Sequence, residues 1–267
     1  MLSVGIIGLG TIGSVVAKAL EKGVVGMSLA AIASGRRDKA LASIANLSSP
    51  VELMSIDEVA ACCDVIVDCA PKSVFRDIAI AAFSRGRILV TVSGAGILAN
   101  EDIEDMAREH DGQLILATGA LLGLDAVRAA SEGKIHSVRM ITRKPPNALK
   151  DAPYIIDNNI SLDRLNGAVQ VFKGSAREGA KAFPANVNVA AALGLAGIGA
   201  DATELEVWAD PHLDRNTHSI EVDADSAKFT LQIQNVQSEN NPGTGKITAL
   251  SVIACLRGMT APMKIGS

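Results

Sequence analysis

The chain has 267 residues, 48% of them apolar and only 3% aromatic, with a formal net charge of −4. That length allows two modest domains sharing a cleft, and the core must come from Ala, Val, Ile and Leu, which suits strands buried on both faces of a parallel sheet. The negative balance excludes the basic field that holds nucleic acid or anionic lipid, and the longest apolar stretch, residues 187–200, is too short and too interrupted to span a bilayer.

Val4-Gly5-Ile6-Ile7 predicts a buried strand over residues 3–7, which turns through Gly8-Leu9-Gly10-Thr11-Ile12-Gly13 into a helix over 12–22. Gly8 permits the tight turn, Gly10 removes a side chain where a pyrophosphate would press on the backbone, and Gly13 lets helix and strand pack closely. The helix start at Thr11 and Ile12 offers unpaired N–H groups and a positive dipole end to phosphates. No basic residue precedes the apolar run, which argues against a signal peptide.

Further strands are predicted over 29–33, 65–69, 88–92 and 113–117, separated by helices over 38–45, 73–85 and 99–109, with Asn100 as the cap of the last. Alternation of this kind predicts an α/β fold, an N-terminal Rossmann doubly wound parallel sheet. After about residue 120 the pattern changes. Strands over 136–142, 168–173, 203–208, 218–222 and 228–234 are interrupted by helices over 125–131 and 186–195, so a second α+β domain on a largely antiparallel sheet is expected. Residues 239–245 read as a loop and 246–257 as a helix returning to the first domain. The expected division is residues 1–119, completed by 240–267, for dinucleotide binding and 120–239 for substrate. An uncovered sheet face would favour a homodimer.

Cys62, Cys63, Cys69 and Cys255 form neither a disulfide framework nor a zinc pattern, so no metal is expected, and buried reduced thiols in a cytoplasmic protein are. An NAD site usually ends its second strand with Asp or Glu on the ribose hydroxyls. Here the strand runs into Ala33-Ser34-Gly35-Arg36-Arg37 instead, and Ser34 with a bidentate Arg36 or Arg37 would accept a 2′-phosphate. NADP(H) is therefore expected, alongside NAD(H). Ala70-Pro71-Lys72, Ser93-Gly94-Ala95-Gly96 and Gly119-Ala120-Leu121 follow later strands at the edge where such sheets bind ligands, so Ala70, Pro71, Ser93 and Ala120 are candidates for cofactor contact.

Taken together, Gly8–Gly13, Thr118-Gly119-Ala120-Leu121-Leu122-Gly123-Leu124-Asp125, Phe183-Pro184-Ala185-Asn186-Val187-Asn188-Val189-Ala190 and Ala209-Asp210-Pro211 with Asn216-Thr217-His218 resemble the L-aspartate dehydrogenase family over nearly the whole chain. The resemblance implies reversible oxidative deamination of L-aspartate to iminoaspartate, then oxaloacetate and ammonia, with the imine available to NAD biosynthesis. It also implies that His218 is the active-site histidine and that Asn188 and Ala120 lie at the nicotinamide end of the cofactor. The missing acid after the second strand departs from strictly NAD-dependent members.

From the pattern alone, His218 shares a strand face with Ile220 and Val222 and points inward, a placement that suits a packed core imidazole as well as a catalyst. Imidazole chemistry fits the reaction, because water addition to an imine and loss of ammonia both move protons near neutral pH. The dicarboxylate needs donors, and Arg139, Arg143, Lys144, Arg164, Lys173 and Lys181 are all available. Asn186 and Asn188 stand at a helix start, one to cap it and one to face ligand. Another amino-acid or imine reductase, or a redox sensor that binds NADP(H) without turnover, shares the nucleotide motif.

Overall fold

The structure, a computed structural model, describes residues 1–184, 188–239 and 241–266. The chain divides into two compact units, one of Met1–Ala117 with Thr248–Ile265, the other centred on Thr118–Ile247.

In the first unit strands and helices alternate as β1 (Leu2–Ile7), α1 (Thr11–Gly23), β2 (Met27–Ala33), α2 (Arg37–Ile44), β3 (Glu52–Met54), α3 (Ile56–Cys62), β4 (Val65–Asp68), α4 (Phe75–Phe83), β5 (Ile88–Thr91), α5 (Gly94–Leu98), α6 (Ile103–Glu109) and β6 (Gln113–Leu116). The strands form one six-stranded sheet in the order β3-β2-β1-β4-β5-β6, and its pairs are parallel. The order reverses direction at β1, which puts a ligand crevice at the carboxyl ends of β1 and β4. Period-two alternation splits the apolar residues between two cores. Val4, Ile6 and Ile32 face Val16, Ala17 and Leu20 of α1. Ile7, Ala31 and Ala33 face Val59, Phe75, Ile78, Phe83 and Ile103 on α3, α4 and α6. Phe75, Ile78 and Phe83 are fully buried, each stabilising by roughly 1.5–3 kcal/mol.

The sequence reading passes over β3 and α3. Yet Ser55 caps α3 in a box with Glu58, the Ser55 hydroxyl accepting from the Glu58 amide and the Glu58 carboxylate from the Ser55 amide, and Ser-x-x-Glu before an apolar stretch is a legible helix start. The helix expected over 99–109 is two helices, α5 and α6. Asn100 does not cap α6. Its amide donates to the Gly96 carbonyl at 2.8 Å, and its oxygen accepts from Arg76, which also clamps Asp102 at 2.7 Å.

The second unit runs through α7 (Leu124–Ser131), β7 (Ile135–Lys144), α8 (Pro153–Asp157), β8 (Val169–Ser175), α9 (Ala176–Ala182), α10 (Asn188–Ala196), β9 (Glu204–Ala209), β10 (Asn216–Ala224), β11 (Lys228–Asn235), β12 (Gln237–Ser238) and β13 (Asn241–Gly245). Its main sheet has the order β11-β10-β7-β9-β8. The pairings are antiparallel except β7 with β9, which is parallel, so the sheet is mixed. The helices α8 and α9 are additional to those expected. The segment 239–245 is not all loop, because β13 pairs with β12. One sheet face is apolar, with Val138, Met140, Leu205, Val207, Ile220 and Val222 buried. The other carries an ionic lattice in which Arg139 meets Glu206 at 2.7 Å, Glu204 at 3.0 Å and Glu221 at 3.2 Å, and Lys173 meets Glu204 at 3.1 Å.

The helix α11 (Lys246–Thr260) follows. Over Thr248–Ile265 the chain belongs to the first unit again. Val252 and Leu256 are fully buried against the α1 face, and Thr260 donates to the Val25 carbonyl at 2.6 Å. No helix of the described residues is long and apolar enough to cross a membrane.

Candidate active site

The turn after β1 is built as a cradle. Gly8 sits at φ 97°, and a Cβ there would lie 2.6 Å from the Cys69 carbonyl carbon. A Cβ on Gly13 would land on the Gly8 carbonyl oxygen, which explains the third glycine. Gly10 has open space, and the nearest atom to a Cβ there is a guanidinium nitrogen of Arg36 at 3.8 Å. Gly10 caps α1 without a side-chain hydrogen bond, and the first turn beginning at Thr11 and Ile12 holds no acid. An uncapped N-terminus with an empty approach and a cation beside it fits the diphosphate of a dinucleotide.

Ser34 and Arg36 follow β2, with the Arg36 amide donating to Ser34 Oγ at 3.3 Å. Arg37 opens α2 and contributes to the field at Glu58, whose carboxyl is held below its ordinary value first by the Ser55 hydrogen bonds. Arg36 is thus the guanidinium placed at the glycine turn. Ala70 and Pro71 follow β4, and Ser93 caps α5 after β5, all at the carboxyl edge of the sheet.

A residue the sequence reading missed ties these loops together. Asp68, at the end of β4, is 2% exposed. It accepts from Thr91 Oγ1 at 2.7 Å and from the Ala70 amide at 3.0 Å, while Thr91 Oγ1 accepts from the Ser93 amide at 2.9 Å. Burial pushes Asp68 up to about 6 against the two hydrogen bonds that favour its ionised form. With the folded value above the unfolded one, its contribution to stability is present below about pH 4 and is lost as pH rises through about 6. His218 has the opposite sign. Burial first, then the charge of Lys144, depress it to about 3, so its contribution is present above about pH 6.5 and lost as pH falls. Asp68→Asn removes only the first, so its melting temperature is expected to rise more steeply than the parent's between about pH 4 and 6. Superimposable melting curves for the two proteins across that range would refute the assignment.

In the second unit the apolar sheet face becomes polar at one end. His218 on β10 is 3% exposed, and its Nδ1 meets Thr142 Oγ1 of β7 at 3.1 Å. Lys144, two residues along β7 on the same face, is also 3% exposed, and burial pushes it down to about 8. Asn216 pairs with Asn235 across β10 and β11, and the Asn235 amide donates to the Ala120 carbonyl at 2.8 Å, fixing that loop. His218, Thr142, Lys144, Asn216 and Asn235 are all buried. Asn188 is exposed at the start of α10, and Asn186 lies outside the described residues.

Lys144 stands apart from the other basic candidates. Arg139 and Lys173 belong to the ionic lattice on the opposite face. Arg143 pairs with Asp210 at 2.7 Å, and Arg164 and Lys181 are exposed. The remaining histidines, His110, His136 and His212, are exposed as well. Of the thiols, Cys62 is exposed rather than buried, while Cys63 is buried and pushed up to about 12, mainly by that burial.

A doubly wound sheet with a glycine cradle at its switch point, joined to an α+β unit, is the build of the two-part nicotinamide-dependent oxidoreductases. Residues 8–117 match the family model described as homoserine dehydrogenase, NAD binding domain, and residues 125–259 match aspartate dehydrogenase, C-terminal. The chain is 50% identical to an L-aspartate dehydrogenase of Bradyrhizobium diazoefficiens, covering 100% of this chain and 94% of that one. It is 44% identical to L-aspartate dehydrogenase 3 of Bordetella bronchiseptica, over 100% and 98% of the two chains. The fold is similar to the crystal structure of aspartate dehydrogenase from Thermotoga maritima, with a TM-score of 0.76, 22% identity and full coverage of both chains. The chain belongs to the aspartate dehydrogenase family.

Proposed function

We propose that the chain is an NAD(P)-dependent L-aspartate dehydrogenase that interconverts L-aspartate with iminoaspartate, and then with oxaloacetate and ammonia. The observation that carries this reading is the buried imidazole of His218 beside Lys144, in a chain half identical over its full length to a named L-aspartate dehydrogenase. Gly8, Gly10, Thr11, Ile12 and Gly13 hold the diphosphate, Ser34 and Arg36 the adenosine ribose end, and Ala70, Pro71, Ser93, Ala120 and Asn188 the nicotinamide end. When bound, the nicotinamide exchanges a hydride with the substrate Cα. With its proton on Nδ1, His218 donates to Thr142 Oγ1 and keeps Nε2 as the acceptor. As the neutral base it takes a proton from the water that adds to the imine carbon and returns it to the nitrogen, giving the carbinolamine. It then takes the carbinolamine hydroxyl proton and passes it to the departing nitrogen as the carbonyl forms, leaving oxaloacetate and ammonia.

The deciding experiment follows NADPH and NADH oxidation with oxaloacetate plus ammonium. Turnover that requires both co-substrates is expected. Tight NADPH binding with no turnover on any oxo acid would instead favour a redox sensor.

Arg36 at the glycine turn, with no carboxylate at the end of β2, supports NADP(H) as the preferred cofactor. Arg36→Ala is expected to raise the KM for NADP by about 10–100-fold, the size of a lost charge-assisted hydrogen bond, while the KM for NAD stays near parental. Arg37→Ala is expected to leave both near parental. Equal losses in the two variants would refute the distinction.

The physiological setting belongs to the same proposal. The imine product would supply pyridine-nucleotide synthesis, and the four free cysteines accord with the cytoplasm. The half-exposed ionic face of the second sheet, which also carries Ile141 and Trp208, is the surface we assign to homodimer formation, to be checked by sedimentation.

A further inference from the structure

The polar end of the second unit's inner sheet face holds an ordered row of side chains. Lys144 pairs with Ala209 across β7 and β9. One step beyond the Thr217–Arg143 pair, the β10–β7 register sets Asn216 opposite Lys144. Asn216 in turn pairs with Asn235, which holds the Ala120 carbonyl. The next row is Thr142 with His218. Lys144 and Asn216 therefore form the row next to the imidazole on the same face.

Two features of this row point to a ligand. Lys144 is 3% exposed, and lysine is rarely so buried without a specific task. Asn216 is 3% exposed, and its Oδ1 is buried with no hydrogen-bond partner among the described residues. A buried acceptor without a donor is costly and calls for one from outside the chain. Directly opposed residues in an antiparallel pair have Cβ atoms about 4.5–5.5 Å apart. An α-amino acid spans a similar distance and offers an anion for the ammonium next to an N–H donor for the unsatisfied Asn216 Oδ1.

We infer that Lys144 and Asn216 form the substrate subsite. Lys144 Nζ takes a carboxylate of the four-carbon dicarboxylate, and Asn216 Oδ1 accepts a hydrogen bond from the nitrogen that becomes ammonia. This rests on the aspartate dehydrogenase reading. Both groups stand beside His218, so a carboxylate on Lys144 also offsets the ammonium field that disfavours a proton on the imidazole.

The test separates the two co-substrates. Lys144→Met keeps the aliphatic stem and is expected to raise the KM for oxaloacetate by about 10–100-fold, with the KM for ammonium and the Kd for NADPH within about twofold. Asn216→Leu keeps the shape and is expected to raise the KM for ammonium by about 5–20-fold, with oxaloacetate and NADPH near parental. Lys144→Arg should recover part of the oxaloacetate affinity. A structural role would move all three constants together or none, and either pattern overturns the inference. Should Lys144→Met fail to melt cooperatively, Asn216→Leu decides, a raised ammonium KM supporting the subsite and an unchanged one overturning it. A parent protein inactive with oxaloacetate and ammonium would defeat the dehydrogenase reading itself. An active parent with unshifted variants would defeat this inference alone.

Discussion

His218→Ala is expected to lower kcat for reductive amination of oxaloacetate by about 10²–10⁴, the usual worth of a general acid–base, while the Kd for NADPH changes by less than about twofold. The imidazole is 3% exposed and held by Thr142, so removing it takes away a proton carrier already set in place. The folded protein should not lose stability in proportion. The ring is kept neutral against its ordinary value, and its removal also ends the stability loss on acidification that the ring causes. His218→Gln retains a hydrogen-bonding side chain near Thr142 but cannot shuttle a proton, and it should be as slow as the Ala variant. Near-parental turnover in either protein would remove His218 from the mechanism.

The second large effect is expected at the glycine turn. Gly8→Ala forces a side chain onto a residue at φ 97°, where L-residues are strained by roughly 1–3 kcal/mol. The added Cβ meets Cys69 and Ala70 backbone, which cannot step aside as a flexible side chain would. A drop of roughly 2–4 °C in Tm per kcal/mol is expected, together with loss of measurable NADPH binding. Gly10→Ala is the informative companion. Its Cβ meets nothing closer than the Arg36 guanidinium at 3.8 Å, so the protein should melt like the parent and still fail to bind the nucleotide. Parental NADPH affinity in Gly10→Ala would mean that the diphosphate does not lie against this turn. The pair therefore separates a glycine needed for the chain's own path from one needed for a ligand's approach.

The nucleotide half was the more legible because its signals are local. Gly8, Gly10 and Gly13 announce a turn, and strand–helix alternation announces the sheet. β3 escaped because one exposed and two half-buried residues at a sheet edge carry no period, and α3 because its start is marked by Ser55 and Glu58 rather than by an apolar run. Asp68 was hidden for a different reason. Nothing at Asp68 itself shows that Thr91 and Ser93, more than 20 residues away, will close over it. The inward direction of His218 followed from alternation on β10, and burial bears it out. Choosing Lys144 among six basic residues did not follow, since the choice depends on which face of β7 turns inward and on register with β10. The parallel pairing of β7 with β9 inside an otherwise antiparallel sheet is likewise a property of topology that no short stretch encodes.

The return of α11 to the first unit bears on how the molecule comes into being. Val252 and Leu256 complete a core whose other members, such as Val4, Val16 and Leu20, leave the ribosome a whole second unit earlier. Until that helix arrives, the nascent sheet must wait with one oily flank uncovered, a window in which chaperones can engage it. Assembly of the nucleotide half is thus timed by synthesis of the other half, and damage to residues 248–260 should surface as lost dinucleotide affinity in a protein whose second sheet remains intact.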